Sequence, residues 1–149
     1  MALWQFDILF VPPGAGMPVC TADGCRTNPL DSERCEIAKT ALSAQFGAGH
    51  EVMEGWVMYG PEQGSRFDLL LDEDKTGELS ARVDARAKHD QFLESVCRLA
   101  QEIECSLYSL QFGQMLEPSL TALRQALLLS RASAFVRSPL NTLIGRSDA

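Results

Sequence analysis

Basic residues are scarce in this chain: 13 Lys and Arg stand against 20 Asp and Glu, a formal charge of −7 over 149 residues. Nucleic-acid binding needs clustered Lys and Arg that displace counterions from phosphate, so this balance argues against DNA or RNA as a partner. Long apolar runs are missing too. The opening stretch MALWQFDILFVPPGAG has no basic residue ahead of its apolar part and is interrupted by Gln5 and Asp7. It reads as a poor secretory signal and is too short to cross a bilayer. The later run from Ala126 to Leu129 is shorter still. These absences predict a cytoplasmic protein with no membrane association, in a compartment where thiols stay reduced.

The signatures of common catalysts are also absent. There is no G-x-S-x-G around a serine nucleophile, no His-Glu-x-x-His and no G-K-[ST] of a phosphate loop. Gly14–Ala15–Gly16 follows an apolar stretch but lacks the spacing of a dinucleotide loop, and two prolines precede it. Histidine occurs twice, as His50 and His89, with no ligand spacing between them. No cofactor is implied.

Cysteine is present five times, three of them within VCTADGCRTNPLDSERCE. Zinc sites draw on two close pairs, each gripping the ion from a tight turn. Cys20 and Cys25 could form one pair, but the second would have to be Cys97 and Cys105, with no glycine knuckle between them. The spacing therefore argues against a zinc site. A catalytic thiol needs a base and a group that orients the base. Cys35 falls in the first turn of an expected helix, where the macrodipole lowers a thiol pKa, but Glu33 and Glu36 beside it oppose the thiolate. The cysteines read as loop thiols and small buried hydrophobes. A Cys20–Cys25 disulfide would require an oxidising environment.

What remains is an ordinary globular composition, 46% hydrophobic and 22% charged, that fits one domain over residues 1–149. Such a length buries a sizeable core without disulfide or metal support. LWQFDILFV, residues 3–11, alternates aromatic and branched residues and predicts a central strand ended by Pro12 and Pro13. After a long loop, Asp31 or Ser32 caps a helix that runs to Phe46 and stops at Gly47. Strands are predicted over VMEGWVMYG (52–60), RFDLLLD (66–72) and ELSARVDAR (78–86), the last two joined by the turn DEDKTG. A helix follows over 89–103, a fifth strand over 105–112 and a long helix from Glu117–Pro118, broken at Ser138–Pro139 before a final turn in PLNTLI. The order β-α-β-β-β-α-β-α implies an α+β domain: a five-stranded, largely antiparallel sheet with helices packed on one face.

The strand over 78–86 has the clearest alternation, with Leu79, Ala81, Val83 and Ala85 on one side and Arg82, Asp84 and Arg86 on the other. One face is expected buried and the other wet. On the wet side the arginines and aspartates read as a charge ladder between strands, joined by Asp68 from the preceding strand. Asp72, Glu73, Asp74 and Glu78 are all oxygen donors, yet their spacing departs from a calcium loop, and they read as a solvated hairpin turn. A charged sheet face that no helix covers can serve as a protein docking surface.

WQFDILFVPP, GWVMYG followed by SRFDLLLD and ELSARVDAR, and the tail ALLLSRASAFVRSPLNTL together give a layout that resembles small bacterial cytoplasmic immunity proteins of type VI secretion and polymorphic-toxin systems. The resemblance spans most of the chain in its pattern of elements and includes no catalytic signature. It implies a non-enzymatic protein that binds a cognate toxin and covers its active site. The expected partner carries a basic patch, and the expected contacts are Asp68, Asp72, Glu73, Asp74, Arg82, Asp84 and Arg86. Self-association into a homo-oligomer stays open. The competing reading is a small enzyme that uses a Cys nucleophile, or the Arg82, Asp84 and Arg86 cluster to hold a carboxylate or phosphate.

Overall fold

The computed structural model describes residues 2–139. The first strand, β1 (Gln5–Val11), forms where alternation predicts it and is an interior strand of a sheet. The loop after it holds a small hairpin, β2 (Val19–Thr21) and β3 (Gly24–Arg26). Helix α1 (Ser32–Phe46) starts at Asp31, whose side chain accepts from the Arg34 backbone N–H, and ends at Gly47 with φ +82°. Strands β4 (His50–Met53), β5 (Trp56–Tyr59), β6 (Arg66–Leu71) and β7 (Gly77–Asp84) follow in succession. Helix α2 (Asp90–Glu102) leads to β8 (Ser106–Ser109) and β9 (Gln114–Leu116), then to α3 (Leu120–Leu128) and α4 (Arg131–Arg137).

The main sheet is α+β in setting and antiparallel throughout, but it has seven strands rather than five, in the order β4-β5-β6-β7-β1-β8-β9. Two departures make the difference. The single strand expected over 52–60 is a hairpin, turned at Glu54–Gly55 where Gly55 adopts φ +85°. A side chain there would meet the Leu71 carbonyl oxygen at 2.5 Å, and that carbonyl belongs to the strand that pairs with β5, so only glycine fits. The second addition, β9, is a three-residue edge strand reached through Gly113 at φ +62°. The long C-terminal helix is also divided. Ser130 turns its hydroxyl to the Ser133 N–H and caps a new helix, which outweighs continuation of the first. The turn expected in PLNTLI lies, from residue 140 on, outside the described residues.

The four helices among the described residues all contribute to one core on one face of the sheet. Phe6, Ile8, Phe10, Phe67, Leu69, Leu79, Ala81, Val83 and Leu107 point from the strands toward Ala38, Leu42, Leu93, Val96, Leu123, Leu127 and Ala132 on the helices. Phe67 packs at a tilt against Phe92, with ring centres 4.8 Å apart, and against Phe46 at 5.9 Å. Residues on the alternate positions of each strand face the other way, and the helices among the described residues pack on the core side.

Candidate docking face

Register alone lays out this helix-free face in rows. The row nearest the β6–β7 turn runs Met53–Trp56–Leu70–Glu78 across β4 to β7. The next crosses the whole sheet as His50–Met58–Asp68–Ser80–Leu9–Tyr108–Met115. The third brings Arg66, Arg82 and Asp7 side by side. Over the β1–β8 part the β2–β3 hairpin closes the surface, with Ala15 and Cys25 packed on Leu9, Val11 and Tyr108.

The third row places two arginines as direct cross-strand partners, an arrangement that like charge disfavours. Each is met by its own carboxylate. Arg66 Nε lies 3.1 Å from Asp68 Oδ2 and its Nη1 donates to the Glu62 carbonyl at 2.8 Å, while Arg82 Nε donates to Asp7 at 2.9 Å. Asp68 takes a further hydrogen bond from the Trp56 indole N–H at 3.0 Å. Asp7, Arg66, Asp68 and Asp84 are all buried on this face, and each lies against an oppositely charged partner: Arg66 against Asp68, Asp7 against Arg82 and Asp84 against Arg86. Arg82 is thus no exposed member of a simple ladder; it is the partner of a buried aspartate.

At the far end of β7, Arg86 donates to both oxygens of Asp84 at 3.0 Å and to the Gln63 carbonyl, and its guanidinium sits 4.0 Å above the Trp4 ring. Burial alone would raise the Asp84 carboxyl, but the hydrogen bonds and charge of Arg86 outweigh it and hold the carboxyl below its usual range. The expected cluster of Arg82, Asp84 and Arg86 therefore divides: Arg82 belongs to Asp7, and Asp84 belongs to Arg86.

Asp72, Glu73 and Asp74 are different. All three stand exposed in the β6–β7 turn, fixed by backbone hydrogen bonds between Asp72 and Thr76 and between Lys75 and Asp72. The β4–β5 turn sits against it through the Leu71 N–H and the Gly55 carbonyl, which brings Glu54 to the same end. A shallow hollow of about 680 Å³ between the turns is lined by Glu54, Gly55, Leu71, Asp72, Glu73 and Lys75. Asp74 spends its carboxylate on Thr76, at 2.6 Å from the hydroxyl, and those bonds hold it below the usual carboxylate range.

The cysteines offer little chemistry. Cys20 and Cys25 face each other across the β2–β3 hairpin and are joined by a disulfide, contrary to the expectation of free thiols. Cys20 Sγ lies 3.3 Å from the Tyr108 hydroxyl, which ties the hairpin to the sheet. Cys35, Cys97 and Cys105 are buried. Burial pushes the Cys35 thiol up, with the Asp31 and Asp74 charges adding to it, so the helix start does not activate this residue. Burial pushes Cys105 up to about 11. Among the described residues no group of three or more His, Cys, Asp or Glu is arranged to hold a metal ion, and no helix is long and apolar enough to cross a membrane.

Sequence reasoning foresaw Asp68, Arg82, Asp84 and Arg86 on this face but missed Asp7, Arg66 and Trp56 as members of it. Arg66 and Asp68 at alternate positions of RFDLLLD were the available signal. A scan of the chain against family models finds no match, and searches of curated proteins and of solved structures likewise return none.

Proposed function

We propose that this chain is a non-enzymatic binding protein of the immunity type, which neutralises a cognate bacterial toxin by covering its active site. The observation that carries the reading is the helix-free sheet face, which ends in the exposed carboxylates of Glu54, Asp72 and Glu73. An acidic end on a chain of charge −7 attracts a basic protein surface and raises the rate of encounter. The alternative of a small enzyme loses support from the same geometry. Its thiols are bridged or buried, and its arginine cluster is already paired within the fold.

The test is co-expression with each toxin-like reading frame found beside the gene in its host, paired with binding kinetics at two ionic strengths. Cells should survive only with this protein present, and added salt should slow association. Reversing charge at Asp72, Glu73 and Asp74 should slow association more than it speeds dissociation. Survival without the protein, or association indifferent to salt and to the acidic turn, would remove the reading.

The compartment belongs to the same proposal. A cytoplasmic glutathione pool would keep Cys20 and Cys25 as thiols, whereas an oxidising compartment would keep the bridge seen here. Acid quenching of cells, alkylation and mass measurement read which state the protein holds. Alkylated Cys20 and Cys25 support the cytoplasm; an intact bridge opposes it.

A further inference from the structure

The row closest to the acidic turns is the most apolar part of the uncovered face. Met53 is 63% exposed and Leu70 46% exposed, with the partly buried Trp56 between them in the ladder. Met53 and Leu70 thus flank Trp56 in one apolar strip that reaches the surface across adjacent strands. Trp56 is held in place, because its indole N–H is already committed to Asp68. A fixed aromatic side chain loses little entropy on contact, and a flexible methionine beside it adapts to the shape of what it meets. Glu54, Asp72 and Glu73 border this strip at the turns. An apolar centre with a charged border is the anatomy of a protein interface.

We propose that Met53, Trp56 and Leu70 are the centre of the docking surface, and that they receive a polypeptide segment presenting apolar side chains flanked by Lys or Arg. The inference rests on the binding reading above and adds its location and the chemistry of the partner. Charge complementarity selects the occupant. The bordering carboxylates repel anionic lipid and nucleic acid, and a second copy of a chain of charge −7 brings more of the same sign. The Arg82, Asp84 and Arg86 end is the weaker centre, since a partner there must compete with ion pairs that the fold has already made.

The test titrates the full chain into short fluorescent peptides and follows anisotropy. One peptide alternates Leu with Arg, one alternates Ser with Arg, and one alternates Leu with Glu. The Leu–Arg peptide should bind best. Met53→Ser with Leu70→Ser, and separately Glu54→Gln with Asp72→Asn and Glu73→Gln, should each weaken it roughly tenfold or more. Leu129→Ser, which alters an exposed leucine at the α3–α4 corner, should change nothing. Thermal melts confirm that each variant remains folded. No binding of the Leu–Arg peptide, equal binding of the Leu–Glu peptide, or a loss no greater than that of Leu129→Ser would overturn the proposal. A toxin neutralised with unchanged kinetics by the Met53→Ser, Leu70→Ser variant would overturn it too, while leaving the immunity reading in place.

Discussion

Replacing Asp68 by Ala should destabilise the protein severely, although the residue lies on a sheet face with no helix above it. Its side chain is 10% exposed and that of its partner Arg66 is 11% exposed. At 3.1 Å and an effective dielectric of about 20, the gross attraction of the pair is about 5 kcal/mol, most of it offset by desolvation. The net worth of the pair is therefore small, but the cost of breaking it is not. Without Asp68, Arg66 stays buried directly opposite Arg82, with only the Glu62 carbonyl to accept from it, and the Trp56 indole N–H loses its acceptor. Removing one member of such a pair costs about 3–5 kcal/mol, a large share of the roughly 5–15 kcal/mol that stabilises a domain. The double replacement Arg66→Met with Asp68→Leu should recover most of that loss, because it removes both charges and fills their space. Urea unfolding of the two single variants and the double variant at neutral pH measures the cycle. A loss below about 1 kcal/mol for Asp68→Ala would refute the argument, since it would mean that water reaches Arg66 as readily as at an exposed pair.

Four further outcomes follow from the core, the shifted groups and the buried thiols. Leu69→Ala removes a side chain with no solvent exposure from the centre of β6, and should cost on the order of 2–5 kcal/mol in the same unfolding assay. Because the Asp84 carboxyl is held low in the folded state, its contribution is present above the unfolded-state value and is lost as pH falls through the folded value; Asp84→Asn should therefore flatten the acid limb of a stability–pH profile. Cys105 has its pKa raised to about 11 while an unfolded thiol ionises near 9, so the chain should lose roughly 2–3 kcal/mol between those pH values, and Cys105→Ala should show less of that loss. In native protein, Cys35, Cys97 and Cys105 should react with a thiol reagent only at the rate of unfolding.

The elements with strong periodicity were legible in the sequence, and the reason is burial. β1, β6, β7 and α2 each present one continuous apolar side to the shared core, so their alternation or helical spacing survives in the residue order, whereas α1 was marked by its ends, Asp31 and Gly47. The elements that were missed bury little. β4 is exposed at every position and β9 at two of three, so neither carries a hydrophobic imprint; their formation depends on pairing with β5 and β8. VMEGWVMYG read as one strand because both halves are rich in strand-forming residues, and Glu54–Gly55 was the turn signal inside it. The charged residues of the docking face were visible by type, yet their partnership was not. Arg82 finds Asp7 only because β1 lies beside β7, a consequence of topology that no local pattern encodes.

That placement of β1 also dictates when the domain can be finished. Strands β4 to β7 pair each with the next, and β8 pairs with β9, so both groups can assemble as they leave the ribosome. The first strand cannot. Its partners run from Ser80 to Asp84 on one side and from Ser106 to Ser109 on the other, so it waits, with Phe6, Ile8 and Phe10 on one face and Leu9 and Val11 on the other, until most of the chain has been made. Closing so long a loop is slow, and the waiting strand is open to wrong pairing. Once docked, it is the piece that joins two separate ribbons into one sheet. A chain shortened past Val11 would lose more than a strand: β7 and β8 would become bare edges in the middle of the molecule, each a template for aggregation.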